Sequence, residues 1–375
     1  MLSCGVVGTA TKKNERRVPI HPEHLRFLSA DVRSSLWMEH GYGERFGWSD
    51  DDLRPWVAGL GTRADMFARD VVLLPKPTEQ DFPLFREGLV LWGWPHCVQG
   101  PAITQAAIDH RMTLLAWEEM HHWRTGKWQL HVFHKNNELA GYCSVLHALQ
   151  LAGMTGHYGE HRKACVIGFG SVGRGAIHAL QGLGFGDVTL FTQRPGHAVS
   201  APIPSVKHWQ MAYLPNGRAE VLLTDKRMSM PEALGHFDVV VNCILQDTDS
   251  PVMFATEDEL EQLKNHTVVI DVSCDAGMGF SWARPTGFDD PAYTVGDQVF
   301  HYAVDHSPSY LWRSASWEIS EALISFIPQV LAGPEAWDAS PTLSRSIEIR
   351  QGVVQNPKIL SFQNRSETYP HSRLG

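Results

Sequence analysis

Six residues, GFGSVG at 168–173, carry the clearest chemistry in this sequence. Gly168, Gly170 and Gly173 stand in GxGxxG spacing, after the apolar run KACVI and before a helical pattern over 171–184. In that setting the first glycine allows a tight turn and the second lets a pyrophosphate approach the backbone. The third lets helix and strand pack closely, and the helix N-terminus faces the phosphates. The turn is read as a dinucleotide site, with Ser171 and Val172 between the glycines and Asn242 as a further contact. An enzyme that prefers NAD usually carries an acid at the end of the next strand, to hold the ribose hydroxyls. Here that strand ends FTQRP (191–195), with no acid and with Gln193 and Arg194 in its place. Arg194 can meet a 2′-phosphate, so NADPH/NADP is expected ahead of NAD.

A second set of polar residues follows apolar runs. Lys76 comes after DVVLLP, His96 after LVLWGW, Glu118 after TLLAW and Asp275 after TVVIDVSC; Arg17 lies in KKNERRVPIHP (12–22), the loop after the first run. Ligands of open parallel α/β sheets bind beyond the carboxyl ends of the strands. Taken singly, each of these residues is a solvated loop charge. Together they supply two cations, an imidazole and carboxylates, a set suited to reducing a carbonyl or imine acid. The cations would hold a carboxylate and the histidine would move a proton.

The elements that must position these residues form two series. In the first third, strand-like runs at 4–9, 35–40, 70–75, 89–94 and 113–117 alternate with helix-like or loop segments, including 21–29 and 101–110. Apolar runs of this kind, separated by helices, predict a parallel sheet wrapped by helices. A long helix is expected over 138–153, able to bridge the two series. The second series has strands at 163–168, 188–192, 237–244 and 267–273, and a last strand at 298–304. The stretch 314–331 is amphipathic, with Ile319, Leu323, Phe326 and Ile327 on one stripe, and is expected to return to the first domain. The tail, 341–375, reads as polar and loosely packed or engaged with a neighbouring subunit. The fold expected is α/β, with two doubly wound parallel-sheet (Rossmann-like) domains and the active site in the cleft between them. A split substrate domain would take 1–136 plus 306–375, and an NADP-binding Rossmann domain 137–305.

Composition narrows the partners. An apolar fraction of 43% and a charged fraction of 19% are those of a soluble globular protein. A formal charge of −9 argues against nucleic acid or an anionic membrane. Small-molecule substrates, a cytoplasmic location and a homo-oligomer (dimer or tetramer) are expected. No apolar run approaches the roughly 18 residues that span a bilayer, and MLSCGVVGTATKK reads as a first strand rather than a signal peptide. The six cysteines form no CxxC pair and are expected reduced and buried. The grouping His121, His122, His131 and His134 lacks metal-ligand spacing. These four are expected at the surface or in loops, and no metal site is expected.

Several stretches together carry a resemblance: ERRVPI (15–20), FREGLVLWGWPH (85–96), KNNELAGYCSVLHAL (135–149), GFGSVG, VIDVSCDAG (269–277), DDPAY (289–293) and HYAVDHSPS (301–309). They are similar to the alanine dehydrogenase / transhydrogenase / saccharopine dehydrogenase superfamily, and most of all to its opine-type NADPH branch, the carboxyethyl-ornithine synthases. The resemblance covers about 5–320, and the tail after about 335 resembles nothing in it. It implies that Arg17 and Lys76 bind a keto-acid carboxylate, with Glu118 also at the substrate. His96 would be the general acid/base, Asp275 would lie beside the nicotinamide and the reacting nitrogen, and Gln193 and Arg194 would help bind NADPH. The implied reaction is reductive condensation of a pyruvate-like 2-oxo acid with the side-chain amine of an ornithine- or lysine-like amino acid. Two alternatives stay open: an alanine dehydrogenase-like or lysine-pathway amino-acid dehydrogenase, and a catalytically silent NADP-binding sensor. Trp92, Trp94 and Trp117 could wall a water-excluding pocket for an imine, or simply fill the core.

Overall fold

The computed structural model describes every residue except Thr9, Asp225 and Gly375. Thr9, the end of the first expected strand, and Gly375, the end of the tail, therefore lie outside the described residues. The chain divides into two units, Met1–His134 with Trp312–Gly375, and Lys135–Leu311.

Each unit is wound on a sheet of the same order. In the first, six parallel strands run Gly59–Gly61, Leu36–Glu39, Cys4–Val6, Val71–Leu73, Val90–Gly93, Thr113–Ala116. In the second the order is Val206–Tyr213, Asp187–Thr192, Lys163–Ile167, Val239–Asn242, Thr267–Asp271, Val299–Tyr302. The first strand of each unit lies in the middle. The chain winds outward to one side and then returns to wind to the other, which creates a switch point where ligands of such folds bind.

Alternating residues explain the unbroken apolar runs. In the first unit Leu73, Trp92 and Leu115 pack into one cluster, while their neighbours Val72, Leu91 and Leu114 pack into another. In the second unit Cys165, Val240 and Val269 face one cluster, and Val166, Val241 and Ile270 face the other. Side chains of a strand point alternately to its two faces, so strands covered on both faces must be apolar at every position.

Several expectations need correction. The sheets are parallel only in their centres. Ala219–Leu222, Arg227–Ser229 and Ala292–Val295 add antiparallel edges to the second, and Ile347–Arg350 with Val353–Val354 do so in the first. The strand at Val299–Tyr302 is the last of its unit in chain order, but Ala292–Val295 pairs outside it at the sheet edge. The tail is not loosely packed, because Ile347–Arg350 pairs with Thr113–Ala116 through a register shift between Ile347 and Ile349. The shift sends Ile347 into one apolar cluster and Ile349 into the other, so the alternation of this short segment does not put its two isoleucines on one face. Arg365 is buried and satisfied by Gln105, Gln363 and the His371 carbonyl, which allows a polar stretch to pack.

The expected helix over 314–331 is two helices, Trp312–Leu323 and Ile327–Ala332. Pro328 has no N–H to continue the ladder, and its ring would meet the carbonyl one turn back. Ile319, Leu323, Phe326 and Ile327 are nonetheless buried together in the first unit. The expected helix over 21–29 is a six-residue 3-10 turn, Pro22–Phe27. The expected bridging helix is His134–Leu151 and, apart from its first residue, belongs to the second unit. His121, His122 and His131 lie in a β-hairpin of His121–Arg124 with Lys127–His131 rather than in loops. No helix among the described residues is long and apolar enough to cross a membrane.

Candidate active site

Register alone brings three of the polar residues of the first unit together. Leu73 pairs with Trp92 and Gly93 with Ala116, so Lys76, His96 and Glu118 emerge just beyond the carboxyl ends of three adjacent strands. Gly93 makes the approach possible, because a Cβ there would overlap the Leu74 carbonyl oxygen. The two chains then continue side by side, with the Trp94 N–H donating to the Pro75 carbonyl at 2.9 Å.

Lys76 Nζ lies 2.5 Å from His96 Nε2. An ammonium can only donate, and lysine ordinarily holds its proton more tightly than histidine does. His96 Nε2 is therefore the acceptor, which leaves the ring proton on Nδ1. That nitrogen is 3.7 Å from Glu118 Oε1, and the same oxygen accepts the His96 backbone N–H at 2.7 Å. The backbone bond holds His96 at φ +50°, a left-handed conformation uncommon for a residue other than glycine. Glu118 thus braces the backbone of His96 by a hydrogen bond and faces its Nδ1–H across 3.7 Å. Burial pushes the Glu118 carboxyl well up, and the nearby Glu348 carboxyl pushes it further. Glu118 is braced in turn by His131. The His131 Nε2–H donates to the Glu118 carbonyl at 3.1 Å, and Nδ1 accepts the Phe133 N–H at 3.0 Å. Burial drives the His131 pKa down to about 4, so this ring is a neutral fixture.

Arg17 joins the group through Trp94. Its guanidinium sits 4.9 Å from the Trp94 ring centre, and Lys76 Nζ sits 5.9 Å from the same ring. Glu15 grips Arg17 from behind, accepting from Nε at 2.8 Å and from Nη2 at 2.5 Å. Burial raises the Glu15 carboxyl, but the Arg17 charge and hydrogen bonds outweigh it and bring the pKa to about 2. Trp92 and Trp117 are almost wholly buried and form core. Of the three tryptophans expected as a wall, Trp94 meets both cations, and it rests edge-on against Trp117 at 4.6 Å.

In the second unit the glycine turn follows Lys163–Ile167 and opens the helix Ser171–Gly182. Gly168 has φ +99°, and a Cβ at Gly173 would overlap the Gly168 carbonyl oxygen. A Cβ at Gly170 would meet nothing within 4 Å among the described residues, so that face of the turn is open. The helix His134–Leu151 crosses the turn's helix closely: a Cβ at Gly141 would strike the Val172 carbonyl, and one at Gly175 the Glu138 carbonyl. The first N–H groups of the 12-residue helix face outward with its positive end, the setting that suits a diphosphate. These features fit a dinucleotide: open space at the second glycine, close packing at the third, and helix amides between. Arg194 lies next to this turn, its Nη2 donating to the Phe169 carbonyl at 2.9 Å. Gln193 is exposed beside it and gives its carbonyl to Gln210 at 3.2 Å. Ser171 and Val172 are half-buried in the first turn of the helix.

Asn242 ends its strand fully buried. Its Nδ2 donates to Asp271 Oδ1 at 2.9 Å, and its Oδ1 accepts the Ile244 N–H at 3.2 Å. Asp271 ends the next strand, and its Oδ1 also receives the Cys274 N–H at 3.4 Å, shaping the turn that leads to Asp275. Burial raises the Asp271 pKa to about 7 against the pull of the Asn242 amide. Behind it Trp282 Nε1–H donates to His301 Nδ1 at 3.0 Å. His301 Nε2 therefore carries the ring proton and faces Asp271 Oδ2 at 3.8 Å.

The structure thus gathers Arg17, Lys76, His96 and Glu118 in the first unit. It gathers Gly168, Gly170, Gly173, Ser171, Val172 and Arg194 at one turn of the second, and places Asn242 and Asp275 around Asp271. Sequence reasoning missed Glu15, Asp271, His301 and Glu348. Asp271 had a signal, since it ends an apolar run as the other candidates do; Glu15 lay inside the ERR motif. Glu348 had none.

The chain matches the N-terminal domain of alanine dehydrogenase/PNT over residues 6–140 and the C-terminal domain over 147–357. It is 25% identical to an N(5)-(carboxyethyl)ornithine synthase of Clostridium botulinum, over 82% of this chain and 89% of that one. It is 27% identical to alanine dehydrogenase 2 of Staphylococcus aureus, over 92% of each chain. Among solved structures, an L-alanine dehydrogenase superposes with a TM-score of 0.77 at 18% identity, covering 96% of this chain and 99% of that one. A transhydrogenase from Sinorhizobium meliloti gives 0.71 at 20% identity, covering 94% and 99%. Matched over most of its length, with the two-domain α/β fold to go with it, this chain belongs to the alanine dehydrogenase/PNT family of oxidoreductases, which bind nicotinamide dinucleotides.

Proposed function

We propose that this protein reductively joins a pyruvate-like 2-oxo acid to the side-chain amine of an ornithine- or lysine-like amino acid, with NADPH as reductant. The product is an N-carboxyalkyl amino acid. The observation that carries the reading is the Lys76–His96–Glu118 array with Arg17 on the same tryptophan. Arg17 and Lys76 oppose the carboxylate of the 2-oxo acid. His96, held as the Nδ1–H tautomer with Nε2 beside Lys76, moves the proton that lets the carbonyl oxygen leave as water when the amine adds. Glu118 keeps the imidazole in that orientation. The second unit holds the dinucleotide at Gly168, Gly170, Ser171, Val172 and Gly173, with Arg194 and Gln193 at the 2′-phosphate and Asn242 and Asp275 toward the reacting end. NADPH, when bound, supplies the hydride. The absence of an acid after the strand Asp187–Thr192 supports the phosphorylated cofactor. The resemblance to a carboxyethylornithine synthase supports the large amine.

A second reading, with ammonia as the amine, is favoured by the similarity to an alanine dehydrogenase over 92% of the chain. Mass analysis of the product formed from NADPH, pyruvate and a mixture of diamino acids and ammonia separates the two. An N-carboxyethyl diamino acid is expected. Alanine as the sole product would establish the second reading, and NADPH binding without oxidation across the panel would leave only a nucleotide sensor.

A further inference from the structure

Behind His96 lies a second carboxyl that comes from the far end of the chain. Glu348 sits in the strand Ile347–Arg350, paired to Thr113–Ala116, two residues before Glu118. It is 2% exposed. One oxygen, Oε1, accepts from Asn356 Nδ2 at 3.1 Å. Glu118 Oε1 accepts the His96 N–H. The Cys97 thiol and N–H also lie against the Glu348 carboxylate, but the remaining oxygens, Glu118 Oε2 and Glu348 Oε2, are both buried with no donor in hydrogen-bond geometry among the described residues. A buried carboxylate oxygen without a donor is costly, and the Glu348 charge adds to that cost at Glu118.

We propose that Glu118 and Glu348 hold one proton between them, and that Glu348 is thereby a positioning residue for His96, acting through Glu118. The inference rests on the reading that His96 moves a proton in the reaction. A shared proton gives both stranded oxygens a partner. It also balances the site: with Glu15, two fully ionised members would set three carboxylates against Arg17 and Lys76 and repel an anionic oxo acid, whereas one proton leaves two against two. Each carboxyl is raised by burial first. The groups that face the pair are His96, Lys76, the Cys97 thiol and Glu119, with His121 and Lys358 acting on Glu119. Burial pushes the Cys97 thiol well up, so it stays protonated against Glu348.

Infrared spectroscopy of protein labelled with ¹³C at the glutamate side-chain carboxyl tests this directly, since the label leaves Asp271 out of the shifted band. At pH 7 a protonated glutamic acid band is expected in the wild type and in Glu119→Gln, and is lost in Glu348→Gln. Should Glu348→Gln not fold, Glu118→Gln must remove the band instead. A wild type without the band, a band that survives in Glu348→Gln, or one that disappears with Glu119→Gln overturns the shared proton. In turnover, Glu348→Gln leaves Glu118 as a lone carboxylate beside the imidazole. The acid limb of kcat/KM should then move up by about 0.5–1 pH unit, with folding checked by circular dichroism. Coincident limbs remove the positioning role. A wild type without turnover removes the proposed reaction and that role with it, while the infrared result still decides the proton.

Discussion

Both units wind their parallel strands in the same order and turn back at the same place, yet they furnish that place in different ways. In the second unit the turn is local: six consecutive residues supply glycines, an open backbone face and the start of a helix. In the first unit the corresponding end of the sheet is furnished by side chains from segments far apart in sequence, at Glu15 and Arg17, Lys76, Trp94 and His96, Glu118, and Glu348. A ligand held by backbone amides can be encoded in one short motif. A ligand held by opposed charges needs register across several strands, because the charges must support one another in space before they can support anything bound.

That contrast predicts effects of different kinds in the two units. His96→Ala should have the largest, lowering turnover by about 100-fold or more while NADPH affinity, followed by fluorescence titration, stays nearly unchanged. Turnover close to wild type would take His96 out of the chemistry and leave the first unit's array without its central member. In the glycine turn, Gly173→Ala forces a methyl onto the Gly168 carbonyl and should cost about 1–3 kcal/mol of stability along with dinucleotide binding. Gly170→Ala has room within the protein and an extended backbone at φ −93°, ψ −165°. It should reduce dinucleotide affinity with a stability change within about 0.5 kcal/mol. Equal melting temperatures for the two variants would contradict the division of labour between the glycines. Arg194→Ala should weaken NADPH about 10-fold more than NADH, the size expected for one charge-assisted hydrogen bond. Matching losses for the two cofactors would remove the phosphate contact.

The smallest effect expected is on stability against pH. Asp271 has a pKa of about 7 in the fold, raised by burial, against roughly 3.9 in an unfolded chain. Between those values the folded state binds the extra proton. The contribution of this group is therefore full below about pH 4 and is lost as pH rises through about 7. Asp271→Asn, which keeps an acceptor for Asn242, should gain on the wild type in melting temperature as the pH is raised from 4 to 8. A constant difference across that range would show that Asp271 is ionised in the fold.

The family, the α/β class and the glycine turn were legible in the sequence. All three rest on contiguous patterns: unbroken apolar runs for strands covered on both faces, GxGxxG between a strand and a helix, and ERRVPI, WPH and VIDVSCDAG in order. The break at Pro328 was legible in principle, since a proline inside a helical stripe interrupts it. The tail was not, because its strand is only Ile347–Arg350 and its buried members include Glu348 and Arg365, which read as polar surface. The tryptophans show the same limit. Trp92, Trp94 and Trp117 looked alike in sequence and all three pack into one core cluster, but packing alone decided that Trp94 is the ring two cations share.

By itself, then, the sequence determined where strands end and which residues follow them, since backbone geometry and burial act over a few neighbouring positions. Tertiary structure alone decided which of those residues meet, which tautomer His96 holds, and that a glutamate from the strand Ile347–Arg350 lies behind it. Those outcomes depend on register between separate strands, and on buried polar atoms whose partners no local pattern specifies.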